Sequence, residues 1–284
     1  MIRWILAIVM LIVTPVVAQA PRLEVVSIRP ADRAQFPPNI DEEDPCSSAQ
    51  MQRKGRTVTG TATTLYSLIA SAYNPWRHPA ACTYATRWNL LSGGPDWVKS
   101  QRYAIQALLP DAVGVAETPN PLADANVQRM FQSMLAERFG LAVRQETRDR
   151  MVYFIELDET VTAMQRRMRQ SLSAGHRASD PKYGPGIFSA YPTGPDGGRY
   201  VSIAFNRQSI AQLALRLATA AQGPVFDRTG LSGEFDFVLE YDETGVLRPT
   251  MVTAMREQLG LRLQPGRAPI DVLVVERAVP PSPN

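Results

Sequence analysis

Lysine is nearly missing from this chain of 284 residues: it occurs only at Lys54, Lys99 and Lys182, so almost all positive charge is arginine. A formal net charge of +3 is too slight to argue for nucleic acid, although a pI near 9.0 leaves a local basic patch open. Histidine is scarcer still. His78 and His176 lie in separate stretches without paired spacing, so the several converging ligands that a metal requires are not indicated, and each reads as a surface histidine. The two cysteines lack the Cys-x-x-Cys spacing of a redox or zinc motif.

Long apolar runs are also lacking, with one exception. Met1-Ile2-Arg3 is followed by an apolar run over Trp4 to Val13, and small residues stand at Val16-Val17-Ala18 and Ala18-Gln19-Ala20. This is the layout of a secretory signal peptide. Cleavage after Ala18 is expected, because a cut after Ala20 would place Pro21 directly behind it. The run is short for a membrane span of about 20 residues, and no later stretch approaches that length. A periplasmic or extracellular mature chain follows, touching the membrane only through the leader before cleavage. In an oxidising compartment Cys46 and Cys82 then pair.

Catalytic signatures are wanting too. Leu231-Ser232-Gly233 lacks the strand-turn-helix setting of a serine nucleophile. Gly93-Gly94-Pro95 is followed by Asp96 and Trp97, without the Gly-Lys-Ser/Thr that cradles phosphate. Asp227 with Glu234, and Asp236 with Glu240, are the carboxylate pairs on offer, and the face carrying Asp236 and Glu240 is expected to be solvated. No cofactor is implied.

What is present is a repeat. Phe139-Gly140-Leu141-Ala142-Val143-Arg144 returns 120 residues later as Leu259-Gly260-Leu261-Arg262-Leu263-Gln264, and the offset holds without a gap from about residue 131 to residue 156. Each copy reads as an amphipathic helix, a glycine stop and two strands. In the first, Asp124 caps a helix striped by Val127, Met130, Phe131, Met134, Leu135 and Phe139. The expected class is α+β: a tandem duplication of a β-α-β-β-α-β-β module, with two helices on a small sheet in each half. The boundaries are a signal at 1–18, a first module at 19–160 with a disulfide-bonded insertion, a linker at 161–197 carrying a short basic helix, a second module at 198–279 and a tail at 280–284. Residues 31–53, with the acidic run 41–44, read as a solvated loop.

The insertion holds the most defensible binding patch: Tyr73, Trp76, Arg77, Tyr84, Trp88 and Trp97. Aromatics mixed with arginine serve interface anchors and sugar-stacking sites. The alternative is a satellite core beneath the disulfide-bonded loop.

Four stretches carry a resemblance: Leu23-Glu24-Val25-Val26-Ser27-Ile28-Arg29-Pro30, Ser92-Gly93-Gly94-Pro95-Asp96-Trp97, Leu135-Ala136-Glu137-Arg138-Phe139-Gly140-Leu141, and Asp227 through Phe237. On them the mature chain resembles a soil-associated, acidobacterial-type family of secreted proteins of unknown function. That resemblance implies no assigned activity, although some relatives look fused to membrane metallopeptidases. Each half is also similar, in element order alone, to the short N-terminal domain of secretins and TonB-dependent receptors, a non-enzymatic interaction module. The reading is a secreted, non-enzymatic protein whose two modules recognise a protein or envelope component. Its alternatives are a hydrolase of envelope or plant-derived material using Asp96, Asp227 or Glu234, and a sensor arm of a membrane metallopeptidase or TonB-type system.

Overall fold

The computed structural model describes residues 22–47, 51–78, 80–111, 120–160, 169–170, 185–195, 197–242, 245 and 248–281. The expected leader, most of the linker and His176 lie outside these residues; Arg169 and Gln170, within the stretch read as a basic helix, are extended and form a strand instead. Among the described residues no helix is long and apolar enough to cross a membrane.

The chain divides into two compact units. One comprises the described residues of Met1–Thr86, Leu91–Arg144 and Val274–Asn284, the other those of Arg87–Leu90 and Gln145–Leu273. The first contains β1 (Val25–Pro30), β2 (Gln52–Lys54), β3 (Thr57–Thr64) and α1 (Leu65–Tyr73). There follow α2 (Ala81–Arg87), β4 (Leu91–Gly93), α3 (Trp97–Ser100), β5 (Arg102–Leu108), α4 (Ala125–Phe139) and the start of β6 (Ala142–Leu157). The second contains most of β6, then β7 (Arg169–Gln170), β8 (Gly186–Ala190), β9 (Val201–Gln208) and α5 (Ile210–Ala220). After these come β10 (Val225–Asp227), β11 (Phe235–Tyr241), α6 (Met251–Ala254) and β12 (Leu261–Arg277), whose last residues belong to the first unit. The class is α+β. The observed order departs from the expected module: strands β7 and β8 form within the segment read as linker, and three strands, not one, precede the first helix of each half.

The first sheet has the order β1-β5-β3-β2, antiparallel throughout, and the sheet of the second unit runs β7-β11-β9-β8, again antiparallel. Adding six to each strand number converts one order into the other. A third sheet runs β10-β6-β12-β4.

Local chemistry explains the elements. Thr64 Oγ1 accepts from the Ser67 amide at 3.1 Å and starts α1. Asp124 Oδ1 accepts from the amides of Asn126 and Val127 at 2.8 and 3.2 Å and starts α4, whose buried stripe is the expected Val127, Met130, Phe131, Met134, Leu135 and Phe139. Gly140 stops it in the left-handed conformation, at φ 51° and ψ 29°. The second copy behaves alike. α6 continues as a π-helical turn over Met255–Leu259, and Gly260 stops it at φ 65° and ψ 34°. From Leu141 to Asp149 each residue is as exposed, half-buried or buried as its counterpart from Leu261 to Pro269. The two closing strands expected after each glycine are instead one continuous strand, β6 and β12, because the polar middle still alternates in exposure.

The first two sheets each carry an irregularity at which a residue takes positive φ, Ala62 at 54° and Arg207 at 53°. A buried charged side chain serves each. Arg102 Nη1 donates to the Ala62 carbonyl at 3.0 Å, and Asp236 Oδ1 accepts from the Arg207 amide at 2.7 Å. Asp236 is therefore 5% exposed where a solvated side chain was expected, taken up by the bulge on the facing strand β9, while Val238 and Glu240 on the same face of β11 are half-buried.

The Ser92-to-Trp97 stretch is a structural latch within the first unit. Gly93 and Gly94 sit at φ 79° and 75°, and a Cβ on Gly93 would stand 2.5 Å from the Val275 carbonyl oxygen. Trp97 then stacks on Phe139 at 6.5 Å. Gly93→Ala is expected to destabilise the protein by about 1–3 kcal/mol, through left-handed strain and this backbone clash. A thermal-unfolding midpoint equal to wild type would refute the assignment.

Candidate functional site

The insertion is more ordered than its sequence suggests. Where α1 ends, Asn74 adopts φ 25°, and its side chain bridges the loop: Nδ2 donates to the His78 carbonyl and Oδ1 accepts from the His78 amide, both at 3.1 Å. Arg77, at φ 52°, donates its amide to the Asn74 carbonyl at 3.1 Å. A non-glycine residue held in that region marks a backbone that its surroundings over-determine. The loop delivers the chain into α2, where Cys82 is joined to Cys46 with a Cα–Cα distance of 5.6 Å.

The rings assemble on this frame. His78 stacks on Tyr84 at 4.4 Å and 15°, and Trp76 meets the Tyr84 ring at 6.3 Å and 48°. The His78 Nδ1 accepts from the Ala80 amide at 3.1 Å. Burial pulls the His78 pKa below its usual value and pushes the Tyr84 phenol up to about 12. His78 is thus half-buried and part of the aromatic stack, in place of the surface histidine expected. Only its closeness in sequence to Trp76 and Tyr84 hinted at this.

The six patch residues have different surroundings. Trp76 and Tyr84 are in ring contact, Arg77 is exposed between Trp76 and His78 in sequence, and Tyr73 is half-buried at the end of α1, its phenol pKa raised by burial. Trp97 belongs to packing, stacked on Phe139, which in turn meets Tyr103 edge-on at 5.3 Å. Trp88 lies in the other unit, with the Arg87 guanidinium 5.9 Å from its ring.

The candidate acids have structural occupations. Asp227 Oδ1 accepts from the Thr229 amide and hydroxyl at 2.8 and 2.7 Å, closing a turn. Glu234 pairs with Arg207 at 2.9 Å. Asp96 is exposed ahead of α3, its carbonyl accepting from Lys99. A cleft of about 280 Å³ between β1 and α4, floored by Leu23, Val26, Met130 and Met134, contains none of these acids. Among the described residues no three His, Cys, Asp or Glu side chains converge as metal ligands would.

These features define an α+β protein of two units with a disulfide-pinned aromatic loop. Residues 79–278 match the family described as a protein of unknown function, DUF3738, and the chain belongs to that family. No curated protein and no solved structure matches it.

Proposed function

We propose that this is a secreted, non-enzymatic binding protein that recognises a protein or envelope component. The observation carrying the proposal is the loop 74–84, which presents Trp76 and Arg77 from a frame fixed by the Asn74 bridge, the His78–Tyr84 stack and the Cys46–Cys82 bond. Pre-organised aromatic and arginine side chains lose little conformational entropy when they bind, which is why such residues dominate interfaces. The apolar leader and the disulfide support an oxidising compartment outside the cytoplasm. The common order of the two antiparallel sheets supports a duplicated module, which the weak similarity to the secretin and TonB-receptor domain would make an interaction module.

The test compares wild type, Trp76→Ala and Arg77→Gln for retention on envelope fractions. Each substitution is expected to weaken retention at least about tenfold, the scale of a hot-spot residue, while leaving the thermal midpoint unchanged. Equal retention of all three would remove the loop from the binding role.

A further inference from the structure

In the second unit, arginines on or beside the long strands generally have partners. Arg148 pairs with Glu146 at 2.8 Å, Arg256 with Asp158 at 2.7 Å and Arg267 with Asp149 at 2.6 Å. Three others differ. Among the described residues the side chains of Arg150, Arg228 and Arg262 have no hydrogen-bond or ion-pair partner, and the Nε atoms of Arg150 and Arg262 are buried without an acceptor. A buried N–H without a protein acceptor is uncommon in a folded chain and suits an acceptor supplied from outside it.

The three share one face of the sheet, Arg228 directly on the Phe154 ring. The Arg228 guanidinium lies 3.3 Å from the Phe154 centroid, flat against it. Phe154 rests on Gly266, where any Cβ would stand 2.6 Å from the ring. Arg150 precedes Phe154 by four residues on β6, and the two-residue period of a strand puts both on one face. The Asp158 amide donates to the Gly260 carbonyl at 2.9 Å, so two residues on, Arg262 stands opposite Glu156, on that same face. Phe226, 37% exposed, borders the ring at 6.3 Å. Alternation along β10 turns Asp227, whose Oδ1 is already occupied by Thr229, to the other side. Within the Asp227-to-Phe237 signature, turns, ion pairing and core account for most positions, while the Arg228 fork makes no polar contact.

We infer that Arg150, Arg228 and Arg262 form an anion-binding stripe around Phe154 and Phe226, suited to an extended ligand bearing carboxylate or phosphate groups. Stacking on Phe154 fixes the plane of the Arg228 fork, leaving its N–H edge to take such a group bidentately. The stripe lies in a different unit from the aromatic loop and does not depend on that loop's role.

Calorimetric titration of the purified chain with trigalacturonate and with tripolyphosphate tests this and separates the two anions. Saturable binding of at least one is expected. Arg150→Gln, Arg228→Gln and Arg262→Gln should each weaken it about tenfold, the scale of a charge-assisted bidentate contact. Arg228→Lys, which keeps the charge and loses the fork, should also weaken it. Arg267→Gln removes the same charge from a residue paired with Asp149, on the other face of the sheet, and should leave binding unchanged. Failure of both ligands to bind, or an equal loss in Arg267→Gln, would overturn the inference.

Discussion

Replacing Arg102 by methionine is expected to lower the unfolding free energy by about 3–5 kcal/mol, the range seen when one partner of a buried charged network is removed. Arg102 opens β5 and is 4% exposed. Its guanidinium donates to backbone carbonyls from two directions: Ala62 at the β3 bulge, and Asp41, Asp44 and Ser47 in the acidic loop, with Glu42 at the limit of contact. Burial draws its pKa down, while the carboxylates of Glu42, Asp44 and Asp41 hold it up. Methionine matches the length of the aliphatic stem but leaves these carbonyls without a donor, and an unsatisfied buried acceptor costs more than its bond returned. Lysine keeps the charge yet presents one compact ammonium where a planar fork spans two segments, so Arg102→Lys should recover only part of the loss. Denaturant unfolding measures both variants. A loss under about 1 kcal/mol for Arg102→Met would mean the acidic loop is held by something else.

The second large effect is expected at the disulfide. Cys82→Ser, or reduction of the wild type, should cost about 2–4 kcal/mol, since the bond closes a 36-residue separation and restricts the unfolded chain accordingly. Cys46 belongs to the same loop whose carbonyls surround Arg102, its amide accepted by Asp44 Oδ1 at 2.8 Å. The two losses should therefore combine to less than their sum, because a loop released from one anchor has less order left to lose. Strict additivity in the double variant would show the anchors to be independent.

How much of this could be read from residue order depends on the range of the interactions. The helix stops at Gly140 and Gly260 were legible because a left-handed glycine after an apolar stripe is a local signal. So was the cysteine pair, which needed only a count and a compartment. Strands of two or three residues such as β2, β4 and β7 were not, being too short for any period to show, although β10 was read at Val225–Asp227. The middles of β6 and β12 resembled loops because their apolar content falls away, although their exposure still alternates. Asp236 was read as solvated because nothing local shows the bulge on the facing strand, where the Arg207 amide donates to its carboxylate. The Arg102 cage joins residues 55 to 61 positions apart to a loop that local composition marks as solvent-facing. At the candidate site, Trp76, Arg77 and Tyr84 were recoverable as neighbours in sequence, whereas the removal of Trp97 into the packing of Phe139 required the tertiary fold.

The carbonyl clasp around Arg102 also bears on how the covalent bond arises. The bonds that seat this loop on a buried guanidinium come from backbone carbonyls and involve neither sulfur, so they can bring Cys46 beside α2 before oxidation. The thiols then meet as neighbours at high effective molarity instead of searching for each other along a free chain. Oxidation in such a case follows conformational folding and records it, and the bond becomes a lock on a geometry that a single arginine has already chosen.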